Sequence, residues 1–132
     1  MIDYSKLPQP KGSTKLARAI AKKAARLQDA QQLRAWALAV KTRDLWKDRK
    51  TGDRVWRTRQ LDPLRAEAHH LVSKDDWAVR YDVRNGITLS LATHQAVEQH
   101  RLRIVGTAWF WKGGTRYVDA TAPVIFVRDS GP

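Results

Sequence analysis

Cysteine is absent from the 132 residues. That excludes disulfides and thiolate zinc sites, so any metal must be held by His, Asp, Glu or Asn. Long apolar runs are missing as well: none approaches the ~20 residues that a bilayer-crossing helix needs. The opening segment MIDYSKLPQPKGSTK has no apolar h-region and no signal-like cleavage site. The expectation is therefore an intracellular, cytoplasmic protein with no membrane partner. Acidic residues are scarce, 13 against 25 Lys and Arg. The excess is lopsided: residues 1–60 hold 16 basic and 5 acidic side chains, whereas residues 61–132 nearly balance at 9 and 8. Such a field draws in a polyanion, with nucleic acid the first candidate and an acidic membrane surface the second.

The length suits one domain with one modest core. Residues 1–13, with two Pro and a Gly, read as a flexible arm and residues 14–132 as a single domain. Ser13 or Thr14 can cap a helix start. From there to about Arg43 the chain is rich in good helix formers, giving one long helix or two joined near Asp29. Leu16, Ile20 and Leu27 fall close to one helical face, and Lys15, Arg18, Lys22 and Arg26 share another. Lys50-Thr51-Gly52-Asp53 signals a turn, and residues 55–59 a strand. Arg43, Lys47, Arg49, Lys50, Arg54, Arg57 and Arg59 interleave with Trp46 and Trp56, a mix that suits phosphate contact with base stacking. Residues 65–71 read as a strand, Asn85-Gly86 as a tight turn, residues 87–91 as a second strand and Thr93 to about Leu102 as a helix. Residues 103–128 alternate apolar and polar, with Gly113-Gly114 as a hairpin turn.

All four histidines lie between positions 69 and 100. Histidine is the side chain best suited to bind a transition metal or move a proton near neutral pH. His69 and His70 are neighbours on a strand, so they point to opposite faces and cannot act as two equal ligands of one ion. One binding metal while the other works beside it is the easier division. His94 opens the following helix, and Glu98 lies one turn further on the same face. His100 faces elsewhere and reads as a surface residue.

Ala68-His69-His70-Leu71, Asn85-Gly86-Ile87-Thr88-Leu89 and Thr93-His94, in strand-strand-helix order, resemble the HNH (ββα-metal, or His-Me finger) endonucleases. The 69-to-85 and 85-to-94 spacings fit that family, and residues 36–44 resemble its lead-in helix. The resemblance implies an α+β fold with N-terminal helices, a ββα-metal core over about residues 65–102 and a C-terminal β-hairpin region. It implies hydrolysis of phosphodiester bonds in DNA, RNA being a lesser candidate, with one divalent cation. His69 and His94 would be ligands, His70 the general base for the attacking water, and Asn85 the residue that holds His70 or the loop or touches the metal. Many members have a third His where this chain has Glu98. A carboxylate there would be a third ligand and favours magnesium or manganese, with zinc or nickel as further candidates.

The chain departs from the pattern at the four Cys that brace many members with zinc. Asp48, Thr51, Ser90 and Thr93 stand there, so no structural zinc is expected, and Trp46, Trp56, Trp77 and the C-terminal strands are expected to supply replacement packing. Family members of this compact layout are common in phages, which suggests a phage or bacterial source. Two other readings stay open. One is a catalytically inactive nucleic-acid-binding subunit of a phage or mobile-element complex; the other is a toxin nuclease with an immunity partner.

Overall fold

The computed structural model describes residues 14–129, so the arm expected over residues 1–13 lies outside the described residues. The described residues open with α1 (Lys15–Arg43), a single unbroken helix. Thr14 caps it, its hydroxyl accepting the Ala17 N–H at 3.1 Å, a contact worth about 1 kcal/mol. Lys41 and Arg43 in its last turn complement the helix dipole. Of the two readings, one long helix or two joined near Asp29, the single helix holds, so among the described residues the expected N-terminal helices reduce to one, and Asp29 is a buried attachment point in mid-helix.

The buried face of α1 is formed by Ala25, Asp29, Trp36 and Val40. Leu16, Ile20, Leu27 and Leu38 lie on the opposite side, all more than half exposed. Local hydrophobic periodicity pointed to that side. Trp36 and Val40 prevail because they reach a partner, the strand pair β1 (Ala66–His70) and β2 (Gly86–Ser90).

These two strands are antiparallel, with His69 opposite Ile87 and His70 opposite Gly86. All five residues of β2 are buried, because α1 packs against it from one side and α2 (Leu91–Glu98) from the other. Gly86 permits this closeness. A Cβ there would sit 2.5 Å from Trp36 Cζ2 and 2.5 Å from Val40 Cγ2. The expected Asn85-Gly86 turn is therefore corrected: Asn85 ends a short 3-10 turn (Val83–Asn85), and Gly86 is extended at φ −129°. Its value lies in its missing side chain rather than in a positive φ.

The outer edge of β2 is capped by loop residues instead of a further strand. Asp44 accepts the Thr88 N–H at 2.9 Å, Arg49 N–H donates to the Thr88 carbonyl at 3.0 Å, and Asp48 accepts the Ser90 N–H at 3.0 Å. An unpaired edge is thereby blunted. No strand forms over residues 55–59. Trp56 makes one parallel bridge to Arg65 and Lys47 one antiparallel bridge to Arg54, and the chain bends away at Arg59 and Gln60.

The C-terminal part pairs β3 (Leu102–Gly106) with β6 (Val124–Arg128) and β4 (Trp109–Lys112) with β5 (Thr115–Val118), both antiparallel. Gly113 and Gly114, at φ 58° and 80°, close the β4–β5 hairpin as expected. Ile87, Leu89 and Ala120 form one core cluster, flanked by Val97, Ile104 and Phe126; Val79, Phe110 and Tyr117 form another. The fold is α+β. No helix among the described residues is long and apolar enough to cross a membrane.

Candidate metal centre and basic surface

His69 ends up near α2 because β1 alternates its side chains between faces and α2 packs on one of them. Its ring meets that of His94 edge-on, with centroids 5.1 Å apart. His94 and Glu98 are one helical turn apart, and His94 Nε2 lies 3.2 Å from Glu98 Oε1. His69 Nδ1 lies 3.9 Å from the same oxygen. One ligand atom from each of the three residues falls within 4.8 Å of the others. Ligand bonds near 2.0–2.2 Å place neighbouring donors roughly 3 Å apart, so the His94–Glu98 spacing already fits a cation. Glu98 is exposed. Burial, with the His94 ring beside it, lowers the His69 pKa to about 4 despite Glu98. His69 is therefore neutral at pH 7, with a lone pair to offer. An open cleft of about 670 Å³ adjoins this group, bordered by Leu71, Val97, His100 and Arg103. His100 itself is exposed and outside the cluster.

His70 takes the other face. Its ring lies flat on Trp36, with centroids 3.7 Å apart and planes 10° from parallel. Its Nε2 is 3.0 Å from the Arg80 carbonyl oxygen. A carbonyl only accepts, so Nε2 carries the proton and Nδ1 keeps the lone pair. Burial lowers the pKa of His70 against the opposing pull of the Arg80 carbonyl, favouring the neutral ring. His69 and His70 thus share the end of β1 but not one pocket.

Asn85 is 1% exposed and fully engaged. It accepts the Val72 N–H at 2.8 Å and donates to the carbonyls of Val72 and Val79 at 3.0 and 3.3 Å. It pins the loop after β1, with its side-chain hydrogen bonds spent on Val72 and Val79. Of the roles open to it, loop positioning is the one its contacts match.

Residues that local patterns could not single out surround this site. Asp29 accepts from Arg80 Nε and Nη2 at 2.9 and 2.7 Å and from the Tyr81 hydroxyl. Burial and that carboxylate push the Tyr81 pKa up to about 12. Asp48 gathers Ser90 N–H, Thr93 Oγ1 at 2.6 Å and the amides of Lys50 and Thr51. Ser90 Oγ in turn donates to Thr93 Oγ1 at 3.1 Å. Burial works against ionisation of Asp48, yet these donors hold its pKa below the usual value. A hydrogen-bonded knot therefore joins the chain at Asp48 and Thr51 to Ser90 and Thr93, where tryptophan packing was expected. Trp46 and Trp77 are only half-buried and Trp56 is 42% exposed; the Trp that enters the core is Trp36.

The basic residues divide into two groups. Arg43 bonds Asp44 and the carbonyls of Val83 and Gly86. Arg49 bonds Asp44 and the carbonyls of Ala120 and Ala122. Both guanidinium groups are engaged inside the fold. Lys15, Arg18, Lys22, Arg26, Lys47, Lys50, Arg54, Arg57 and Arg59 are exposed. Lys47, Arg54 and Arg57 line an open groove of about 450 Å³ with Trp46 and Trp56. The Trp56–Arg65 bridge sets this groove beside the start of β1.

No family model matches the chain, and neither a curated protein nor a solved structure matches it.

Proposed function

We propose that the protein is a divalent-metal-dependent endonuclease of the HNH, or ββα-metal, type that hydrolyses phosphodiester bonds in DNA. The observation that carries this reading is the convergence of His69, His94 and Glu98 from β1 and α2, with His70 as the next residue on the strand. Two imidazoles and a carboxylate form a mixed donor set. It suits manganese, zinc or nickel through the nitrogens and manganese or magnesium through the oxygen, so manganese satisfies both. A bound cation would neutralise the scissile phosphate and steady the departing oxygen.

The chain's own residues do the rest. His70, held with Nε2 protonated, presents Nδ1 to take the proton of the attacking water. Trp36 keeps the ring plane fixed. Because the two histidines point to opposite faces, the scissile phosphate would lie across the end of β1, between them. Lys47, Lys50, Arg54, Arg57 and Arg59 would bind flanking phosphates, with the basic row on α1 contacting the strand further out. A water nucleophile makes no use of a 2′-hydroxyl, which fits DNA. The cytoplasm, where such a substrate is met, belongs to the same reading.

The separation of His69 from His70 favours one alternative: a nucleic-acid-binding subunit that does not cut. A supercoiled-plasmid assay with manganese, magnesium, nickel and zinc, each with and without EDTA, separates the two. The wild type is expected to nick or linearise the plasmid only with metal. His70→Ala should lower the rate roughly 10²- to 10⁴-fold while DNA binding persists. Absence of cutting with every ion, alongside intact binding, would leave the non-cutting subunit.

A further inference from the structure

A carboxylate in the middle of a helix face that packs on the core is costly unless it is paired. Asp29 is such a residue, 7% exposed. Its partner Arg80 lies 51 positions away and meets it through two parallel N–H bonds of 2.9 and 2.7 Å. Arg80 is held on other sides too: Nη1 donates to the Lys74 carbonyl at 2.8 Å, and its guanidinium lies 4.5 Å from the Trp77 ring centroid. Tyr81, the next residue, donates its hydroxyl to Asp29. The segment 80–82 belongs to no strand or α-helix. It is tied to α1 at Asp29 and again where Trp36 Nε1 donates to the Asp82 carbonyl at 2.9 Å. Asp29 and Trp36 are seven residues apart, two turns, and so share one face of α1.

The Arg80 carbonyl that accepts from His70 Nε2 lies between those two ties. We infer that Asp29 is a positioning residue: by fixing Arg80 it sets the carbonyl that locks His70 as the Nε2–H tautomer, while Trp36 on the same helix face fixes the plane of the ring. α1 thereby controls both degrees of freedom of the His70 side chain, its tilt and its tautomer. With Asp29 neutralised, the loop keeps the Arg80 carbonyl chemically but loses what holds it at 3.0 Å. The Nδ1–H form then competes, and that form has no lone pair on the side where Nδ1 is needed.

The catalytic consequence rests on the nuclease reading; the tautomer does not. The test therefore has two arms. In the first, the metal-free full chain is studied at pH 8 by long-range ¹H–¹⁵N correlation of the imidazole nitrogens, with His70 assigned by comparison with His70→Ala. The wild type is expected to give a single Nε2–H signature. Asp29→Asn, which keeps the volume but loses the charge and one acceptor, is expected to give averaged nitrogen shifts. If Asp29→Asn does not fold, the apolar pair Asp29→Leu with Arg80→Met is the second variant, since such replacements of buried ion pairs are often neutral for stability. It is expected to show the same averaging. In the second arm, plasmid cleavage with manganese is expected to show kcat down roughly 10- to 100-fold with KM unchanged, the pattern of a misplaced group rather than of lost binding. A folded variant that retains the pure Nε2–H signature overturns the inference. A wild type that cuts nothing with manganese, magnesium, nickel or zinc overturns the nuclease reading, and the nitrogen spectra then decide the role of Asp29 alone.

Discussion

At the scale of single residues, Asp82 links the stability of the fold to pH. Its carboxylate accepts from Arg84 Nε and Nη2 at 3.0 and 2.8 Å, from the Arg84 amide at 3.0 Å and from Lys112 Nζ at 3.1 Å. Arg84 first, with Lys112 adding to it, outweighs burial and lowers the pKa of Asp82 to about 2. The unfolded chain titrates near 3.9. A depressed folded-state pKa means that the stabilisation is fully present above about pH 4 and disappears as pH falls towards 2. Asp82→Asn is therefore expected to cost on the order of 1–2 kcal/mol at pH 7, discounted for solvent screening at Arg84 and Lys112. The gap to the wild type should close between pH 4 and pH 2. Urea titrations of both proteins across that range check it, and a gap that stays constant with pH would show that Asp82 acts through packing alone. The same ties matter near the site, because the Asp82 carbonyl also receives Trp36 Nε1, and Trp36 carries the His70 ring.

At the scale of elements, the contact of α1 with β2 depends on Gly86. Gly86→Ala would drive a methyl group into Trp36 and Val40, both buried and both on α1. Overpacking of this kind costs about 1–3 kcal/mol, and chemical denaturation should show a midpoint lowered accordingly. An unchanged midpoint would mean that the helix shifts freely, against the close packing described. Gly86 also illustrates what the sequence could and could not disclose. A cap at Ser13 or Thr14, strands at 65–71 and 87–91, a helix after them and the Gly113-Gly114 turn were legible in outline, because caps, alternation and turn chemistry are local; the helix expected from Thr93 to about Leu102 runs instead from Leu91 to Glu98, and Leu102 already begins β3. The buried face of α1 was not: Leu16, Ile20 and Leu27 advertise one side, but only the tertiary partners of Trp36 and Asp29 decide which side is covered. Within the site, helical spacing paired His94 with Glu98 and strand alternation parted His69 from His70, whereas joining His69 to the other two was an implication of the family resemblance. The Arg80 carbonyl beneath His70 and the Asp48–Ser90–Thr93 knot had no signature, since backbone acceptors and pairs 45 or 51 residues apart leave no periodic trace.

At the scale of the whole molecule, the net charge of +12 was legible from the first count, but its use was not. Part of it is structural. Arg43 and Arg49 converge on Asp44, which is held below its usual pKa against the pull of burial, and they tie α1 to β2 and to the chain around Ala120. The remainder, on α1 and on the 47–59 loop, faces solvent. These two populations should separate in a salt titration of duplex DNA binding. Each phosphate neutralised contributes about −0.9 to the slope of log K against log salt. Removing two of the residues proposed to contact phosphate, Arg54→Ala with Arg57→Ala, is expected to flatten the slope by roughly 1.8 units while the unfolding midpoint stays put. Arg43→Ala and Arg49→Ala should do the reverse, leaving the slope alone and lowering the midpoint, because each strands Asp44 with fewer donors and frees backbone carbonyls. A flattened slope in Arg43→Ala or Arg49→Ala would place those guanidinium groups on DNA after all. An unaltered slope in the double variant would move the DNA off the 47–59 loop.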